Sequence, residues 1–234
     1  MHNDDFPHEE IDKLGYQKII NGQKGHYGVA TFHKDNLLTS SIGFETDSED
    51  AQCRLITSKH LLNKKEVTII NGYFPQGDNR DHPVKFPYKE KFFKDLMLHL
   101  NNNFKKNENI IILGDLNISP EDIDIGIGED NRKRWLATGK CSFLPEEREW
   151  LQKIKDWGFK DSYRKFYPDS DDKYSWFDYR SRGFDDSPKR GLRIDHLWVT
   201  ESLLELAKGA DIDYEIRGME KPSDHAPVWT EFNF

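Results

Sequence analysis

The chain has 234 residues, of which 32% are charged and 13% aromatic, and its formal net charge is -8. That size builds one domain with a real core, the ring-rich composition excludes disorder, and the net charge excludes a nonspecific nucleic-acid coat, so a polyanionic partner would need a local basic surface or a metal ion. Cys53 and Cys141 are the only cysteines and lack metal-like spacing, which argues against a disulfide framework and a zinc site and for reduced thiols in a cytoplasmic protein.

The opening residues, MHNDDFPHEE, are too polar for a secretory signal, and no run is long enough for a membrane helix, so no membrane partner is expected. His8–Leu14 reads as a helix too short to stand alone, an odd way to begin a domain. Tyr16–Ile20, Tyr27–His33, Cys53–Leu61 and Val67–Tyr73 read as strands. A helix runs from Phe86 to about Phe104, with Phe93, Leu96, Leu100 and Phe104 at helical spacing. Ile110, Ile111, Ile112 and Leu113 then form a short apolar run, expected to be a strand buried on both faces. Glu146–Trp157 is a second helix, with Trp150, Leu151, Ile154 and Trp157 inward and Gly158 as a stop. His196–Val199 and Tyr214–Ile216 are expected to be short strands. Pro227–Phe234 alternates, with Val228, Thr230, Phe232 and Phe234 on one side. Several consecutive strands lack a helix between them, which favours a sandwich of mixed sheets flanked by helices over a doubly wound sheet. No linker divides residues 1–234, so one domain is expected.

Polar groups concentrate at the ends of these strands. Asp115 and Asn117 follow the apolar run, and extended geometry would put both on one face. Such oxygen donors suit Mg²⁺ and phosphate, although Asp, Asn, Ser and Pro are also turn formers. Tyr73 could present its hydroxyl to a phosphate oxygen, or simply be a buried ring. Asp195 precedes a strand and could instead pair with Arg193 at the surface. In Ser223-Asp224-His225, a carboxylate beside an imidazole suits acid–base work, unless the Asp only caps a turn. Trp176 and Phe177 lead into a loop carrying Arg180, Arg182, Lys189, Arg190 and Arg193, and Arg132-Lys133-Arg134-Trp135 forms a second basic patch. Cations beside rings suit a nucleic-acid backbone with an exposed or missing base; the bland alternative is loop charge over a core aromatic. No P-loop, dinucleotide fingerprint or G-x-S-x-G elbow occurs.

Taken together, NGYFPQG, GDLNISP, DIDIGIGE, NRKRWL, GKCSFLPEERE, SWFDYRS, GLRID and IDYEIRGMEKPSDHAPVW resemble, in order, the signatures of the exonuclease III family of bacterial DNA-repair nucleases, which share the DNase I-like fold. The resemblance implies an α/β (α+β) four-layer αββα sandwich of mixed sheets. It also implies Mg²⁺-dependent (or Mn²⁺-dependent) phosphodiester hydrolysis by a monomer on double-stranded DNA. Such enzymes remove nucleotides from 3′ ends, cut 5′ to abasic sites and trim 3′-blocking groups. Carried over, Tyr73 would contact the scissile phosphate and Asp115 would activate water or protonate the leaving group. Asn117 would stabilise the transition state, and Asp195 would orient His225. Asp115, Asn117 and Asp224 would lie at the metal. Trp176 and Phe177 would flank the abasic or terminal sugar, with Arg180, Arg182 and Arg193 on DNA.

One departure stands out. The family begins with a strand carrying an active-site Asn, then a helix and a strand ending in a Gln-Glu-Thr motif whose Glu binds metal. The present sequence shows neither, as though a strand–helix–strand unit of about 30 residues were missing. Impaired stability and catalysis are therefore expected. Two rival readings are a non-catalytic remnant that binds damaged DNA, and a phosphoesterase of the same fold acting on a lipid or inositol phosphate.

Overall fold

The computed structural model describes residues 2–234. In chain order, the strands are β1 (Gln17–Gly22), β2 (Gly28–His33), β3 (Asn36–Ile42), β4 (Leu55–Leu62), β5 (Lys65–Tyr73), β6 (Ile110–Asp115), β7 (Phe159–Asp161), β8 (Asp195–Thr200), β9 (Ala207–Ile212) and β10 (Val228–Phe232). The helices are α1 (His8–Lys13), α2 (Lys85–Asn103), α3 (Glu129–Ala137), α4 (Pro145–Trp157), α5 (Ser162–Phe166), α6 (Glu201–Leu206) and α7 (Tyr214–Arg217).

Six strands form one mixed sheet in the order β3-β4-β5-β6-β8-β7. Only β5 and β6 run parallel, and parallel neighbours need a long crossover. Helix α2 supplies it. Its buried face, with Phe92, Phe93, Leu96 and Leu100, lies in one apolar cluster with Ile70, Ile110 and Ile112 of the sheet. Helix α4 joins the same cluster through Trp150, Leu151, Ile154 and Trp157. Pro145 starts α4, where its missing N–H costs nothing, and Gly158 ends it at φ 129°. On the sheet's other face, Val67, Ile111 and Val199 pack with Leu203 of α6 and Phe232 of β10.

The second sheet layer consists of two antiparallel ribbons, β1-β2 and β9-β10. Within the described residues, β1 and β10 are each hydrogen-bonded along one side only. The mixed-sheet sandwich with outer helices is thus borne out, with its second sheet in two pieces.

The expected strand at Tyr214–Ile216 is instead α7, because the Asp213 side chain accepts the Ile216 N–H and starts a helical turn. Strand β3 escaped the sequence reading because nearly all of it is exposed and NLLTSSI lacks apolar alternation. Helix α3 escaped for the same reason, having no buried residue.

At the centre of the sheet, Gly72 and Gly114 sit opposite each other in the β5–β6 register. Gly114 has φ 129°, and a Cβ there would lie 1.9 Å from the Gly72 carbonyl oxygen. The two strands therefore approach as only glycine allows.

Candidate active site

Strand register brings the polar groups together. Tyr73 ends β5 opposite Asp115 at the end of β6, and Asp115 faces Asp195 at the start of β8. Three adjacent strand ends thus present side chains at one rim of the sheet. Buried Ser175 fixes the third: its hydroxyl accepts the backbone N–H groups of Ile194 (3.0 Å) and Asp195 (2.9 Å).

His225 arrives from the turn before β10, and its Nδ1 lies 2.8 Å from Asp195 Oδ2. One ligand atom from each of Asp115, Asp195 and His225 falls within 4.8 Å of the others.

Asn117 reaches Asp115 differently from the extended spacing expected. Strand β6 ends at Asp115, and Asn117 turns to φ 53°, a conformation Asn tolerates. Asp115 Oδ1 accepts the Asn117 backbone N–H at 2.9 Å, and Oδ2 accepts its side-chain amide at 2.8 Å. The same amide also donates to the Phe74 carbonyl at 3.0 Å. A turn, rather than a shared strand face, makes the contact. Lys89 of α2 secures this turn from below by donating to the Asn117 carbonyl (2.9 Å) and to Glu147 (2.6 Å), both side chains being fully buried.

The charges at the rim are unbalanced. Burial, followed by the neighbouring Asp195 charge, pushes the Asp115 carboxyl up to about 7, against the opposing pull of His225. Burial disfavours the charged form of His225, but its bond to Asp195 and the Asp195 and Asp115 charges prevail and raise it to about 9. Burial and then the Asp115 charge raise the Tyr73 phenol.

Buried acidic oxygens in excess of cations fit a divalent ion, which would offset the burial and the Asp195 charge that raise Asp115. Asp115, Asp195 and His225 are the groups that converge most closely. Asp224 stands at the same rim, its charge acting on both Tyr73 and His225, and its Oδ2 accepts the Trp176 indole N–H at 3.1 Å. Asn117 lies beside Asp115 through that turn.

The expected DNA-contacting residues divide. Trp176 is half-buried and lines a cleft of about 160 Å³ with Arg134, Trp135, Lys140, Asp178 and Arg190. Arg180 and Arg182 are exposed. Phe177 is a correction: it is fully buried, against Phe184 and Tyr214, where no sugar reaches it. Arg193 is another, being buried between Asp124 (2.6 Å) and Asp161 (2.7 Å) rather than paired with Asp195 or open to a phosphate.

Sequence reasoning missed Arg54 and Tyr27. The Arg54 guanidinium lies 3.8 Å from the Tyr27 ring centroid and 4.8 Å from that of Tyr73, and it donates to the Tyr73 carbonyl at 2.8 Å. No motif flags a lone Arg and a lone Tyr so far apart in the chain.

A family model described as the Endonuclease/Exonuclease/phosphatase family matches residues 2–225. Exodeoxyribonuclease III of Haemophilus influenzae is 56% identical over 97% of this chain and 84% of its own length. Among solved structures, the 3′ phosphatase NExo from Neisseria, bound to a product DNA hairpin, superposes with a TM-score of 0.89 at 33% identity, covering 100% of this chain and 86% of that one. An AP endonuclease from Archaeoglobus fulgidus gives 0.87 at 29% identity, with the same coverage. The ordered motifs, the mixed-sheet sandwich and these matches agree: the chain belongs to the endonuclease/exonuclease/phosphatase family, in its exonuclease III branch.

Proposed function

We propose that the chain is a DNA-repair phosphodiesterase that removes nucleotides from 3′ ends of duplex DNA, cuts 5′ to abasic sites and trims 3′-blocking groups, acting as a cytoplasmic monomer. The observation that carries this reading is the Asp115–Asp195–His225 cluster at the ends of β6 and β8. It stands beside Tyr73 on β5, in a chain 56% identical to an exodeoxyribonuclease III.

Asp195 holds the His225 imidazole by its Nδ1, so Nε2 is the ring atom that can exchange a proton. With His225 raised to about 9, the ring is cationic at neutral pH and suited to stabilising charge on a phosphoryl oxygen. Asp115, raised to about 7, is suited to exchanging a proton with water or a leaving oxygen. The Asn117 amide holds that carboxylate in place, and the Tyr73 hydroxyl can donate to a phosphate oxygen. Asp115 and Asp195, with Asn117 nearby, would hold a Mg²⁺ or Mn²⁺ ion. When bound, the ion supplies charge stabilisation at the phosphate and a more acidic water. The cleft of Trp135, Trp176, Arg134, Lys140 and Arg190 offers rings and cations to the DNA flanking the cut.

The test is cleavage of a duplex carrying one abasic site, and of a duplex with a recessed 3′ end, with Mg²⁺ present. Incision 5′ to the lesion that Asp115→Asn and His225→Asn both suppress supports the proposal. Binding to the abasic duplex without cleavage would overturn it in favour of a damage-binding protein.

A further inference from the structure

We propose that His33, Asp35 and His60 form a second metal site, which takes Zn²⁺ or a similar transition-metal dication and ties the β2–β3 turn to β4. The cysteine spacing argued against zinc, but folding brings together two histidines and a carboxylate that the chain keeps apart. His33 ends β2, Asp35 lies in the turn before β3, and His60 is an inward residue of β4. One ligand atom from each lies within 4.8 Å of the other two.

Both imidazoles bring Nδ1 to Asp35, that of His33 also lying 3.3 Å from the Asp35 backbone oxygen. Asp35 Oδ1 is 2.6 Å from His60 Nδ1 and 3.3 Å from His33 Nδ1. The two imidazoles meet edge to face with centroids 5.0 Å apart. Metal–nitrogen and metal–oxygen bonds of about 2.0–2.1 Å at tetrahedral angles put ligand atoms roughly 3.3 Å apart. The His33–Asp35 separation already has that value. The His60–Asp35 separation must open by about 0.7 Å, and Asp35, a turn residue with a partly exposed side chain, can swing that far.

The surroundings support the same reading. His60 Nε2 lies 2.8 Å from Ser58 Oγ, which can accept its proton, so Nδ1, now 2.6 Å from Asp35 Oδ1, is the nitrogen it would offer a metal. Both imidazoles are buried and preorganised, whereas the exposed part of Asp35 offers an entry path and room for a water as fourth ligand. Two neutral imidazoles and one carboxylate are hard–borderline donors of the kind that select zinc over magnesium. This site is remote in composition from Asp115–Asp195–His225 and does not depend on the nuclease reading.

The test uses the full chain, stripped of metal and titrated with zinc chloride by calorimetry. Asp115→Asn is included to weaken the other cluster, whose ion Asp115 and Asp195 would hold. Wild type and Asp115→Asn should each show a zinc event that Asp35→Asn and His33→Gln weaken at least 100-fold. Correlations of ring ¹⁵N and ¹H in the unmutated protein provide a readout that needs no variant: saturating zinc should shift the Nδ1 signals of His33 and His60. The proposal fails if Asp115→Asn binds no zinc or if Asp35→Asn binds zinc as wild type does. It also fails if both Nδ1 atoms keep their protons in saturating zinc, which would make the cluster a hydrogen-bonded triad and nothing more.

Discussion

Two buried charge clusters flank β8, and they behave in opposite ways. In one, Arg193 lies between Asp124 and Asp161, with Arg164 also paired to Asp124 and His196 near Asp161. Burial opposes the charged forms there, yet the facing charges win. Both carboxyls fall below their usual range and Arg193 rises above its own. In the other, Asp115 and Asp195 share a single imidazole, and Asp115 is driven up to about 7. Opposite charges that balance make an internal clamp; acids in excess make a place where a cation or a proton must come and go. Burial alone does not distinguish structure from chemistry, but the local sum of charges does.

That contrast can be broken most directly at Asp115. Asp115→Asn should lower cleavage of the abasic duplex by about 10³-fold or more, within the span expected for a lost acid–base and metal-binding group. Single-turnover assays with Mg²⁺ measure it, and a loss below tenfold would move the chemistry elsewhere. In the balanced cluster, Arg193→Ala should cost about 3–5 kcal/mol of stability by stranding Asp124 and Asp161, as urea unfolding would reveal. A mild change there would make the network ornamental.

The pH response sharpens the same point. A carboxyl raised to about 7 binds more protons folded than unfolded, so its contribution to stability declines from about pH 4 to pH 7. His225, raised to about 9, stabilises fully below its ordinary value, and that gain disappears as pH climbs through 9. Asp161, held low, acts in reverse, its contribution being lost in strong acid. Asp115→Asn should therefore flatten the decline between pH 4 and 7 and raise the melting temperature at pH 8 by about 4 °C. Calorimetric scans across pH decide it, and an unchanged slope would contradict the repulsion described. Least dramatic is Lys140→Ala in the aromatic cleft. It should weaken duplex binding several-fold and reduce the salt slope by about one, read by titration at two ionic strengths.

The sequence made much of this legible, for identifiable reasons. Strands β5 and β6 and helices α2 and α4 carry strong periodicity, and Tyr73, Asp115, Asp195 and His225 sit at the ends of apolar runs. Where reading failed, long-range pairing had decided the outcome. Arg193 looks like a free basic residue until Asp124 and Asp161 arrive from 69 and 32 positions away. Phe177 differs from Trp176 only in the side of the backbone it takes, and one faces the core while the other opens to the cleft. Arg54 and Tyr27 meet Tyr73 only through sheet packing.

The opposed glycines Gly72 and Gly114 have a consequence for heredity. Neither has a functional group, yet a methyl at Gly114 would strike the Gly72 carbonyl and pry apart the strands that end in Tyr73 and Asp115. A saturation library scored by survival of DNA-damaged cells would rank Gly114 beside Asp115. An observer working only from loss of phenotype would mistake a spacer for a reagent.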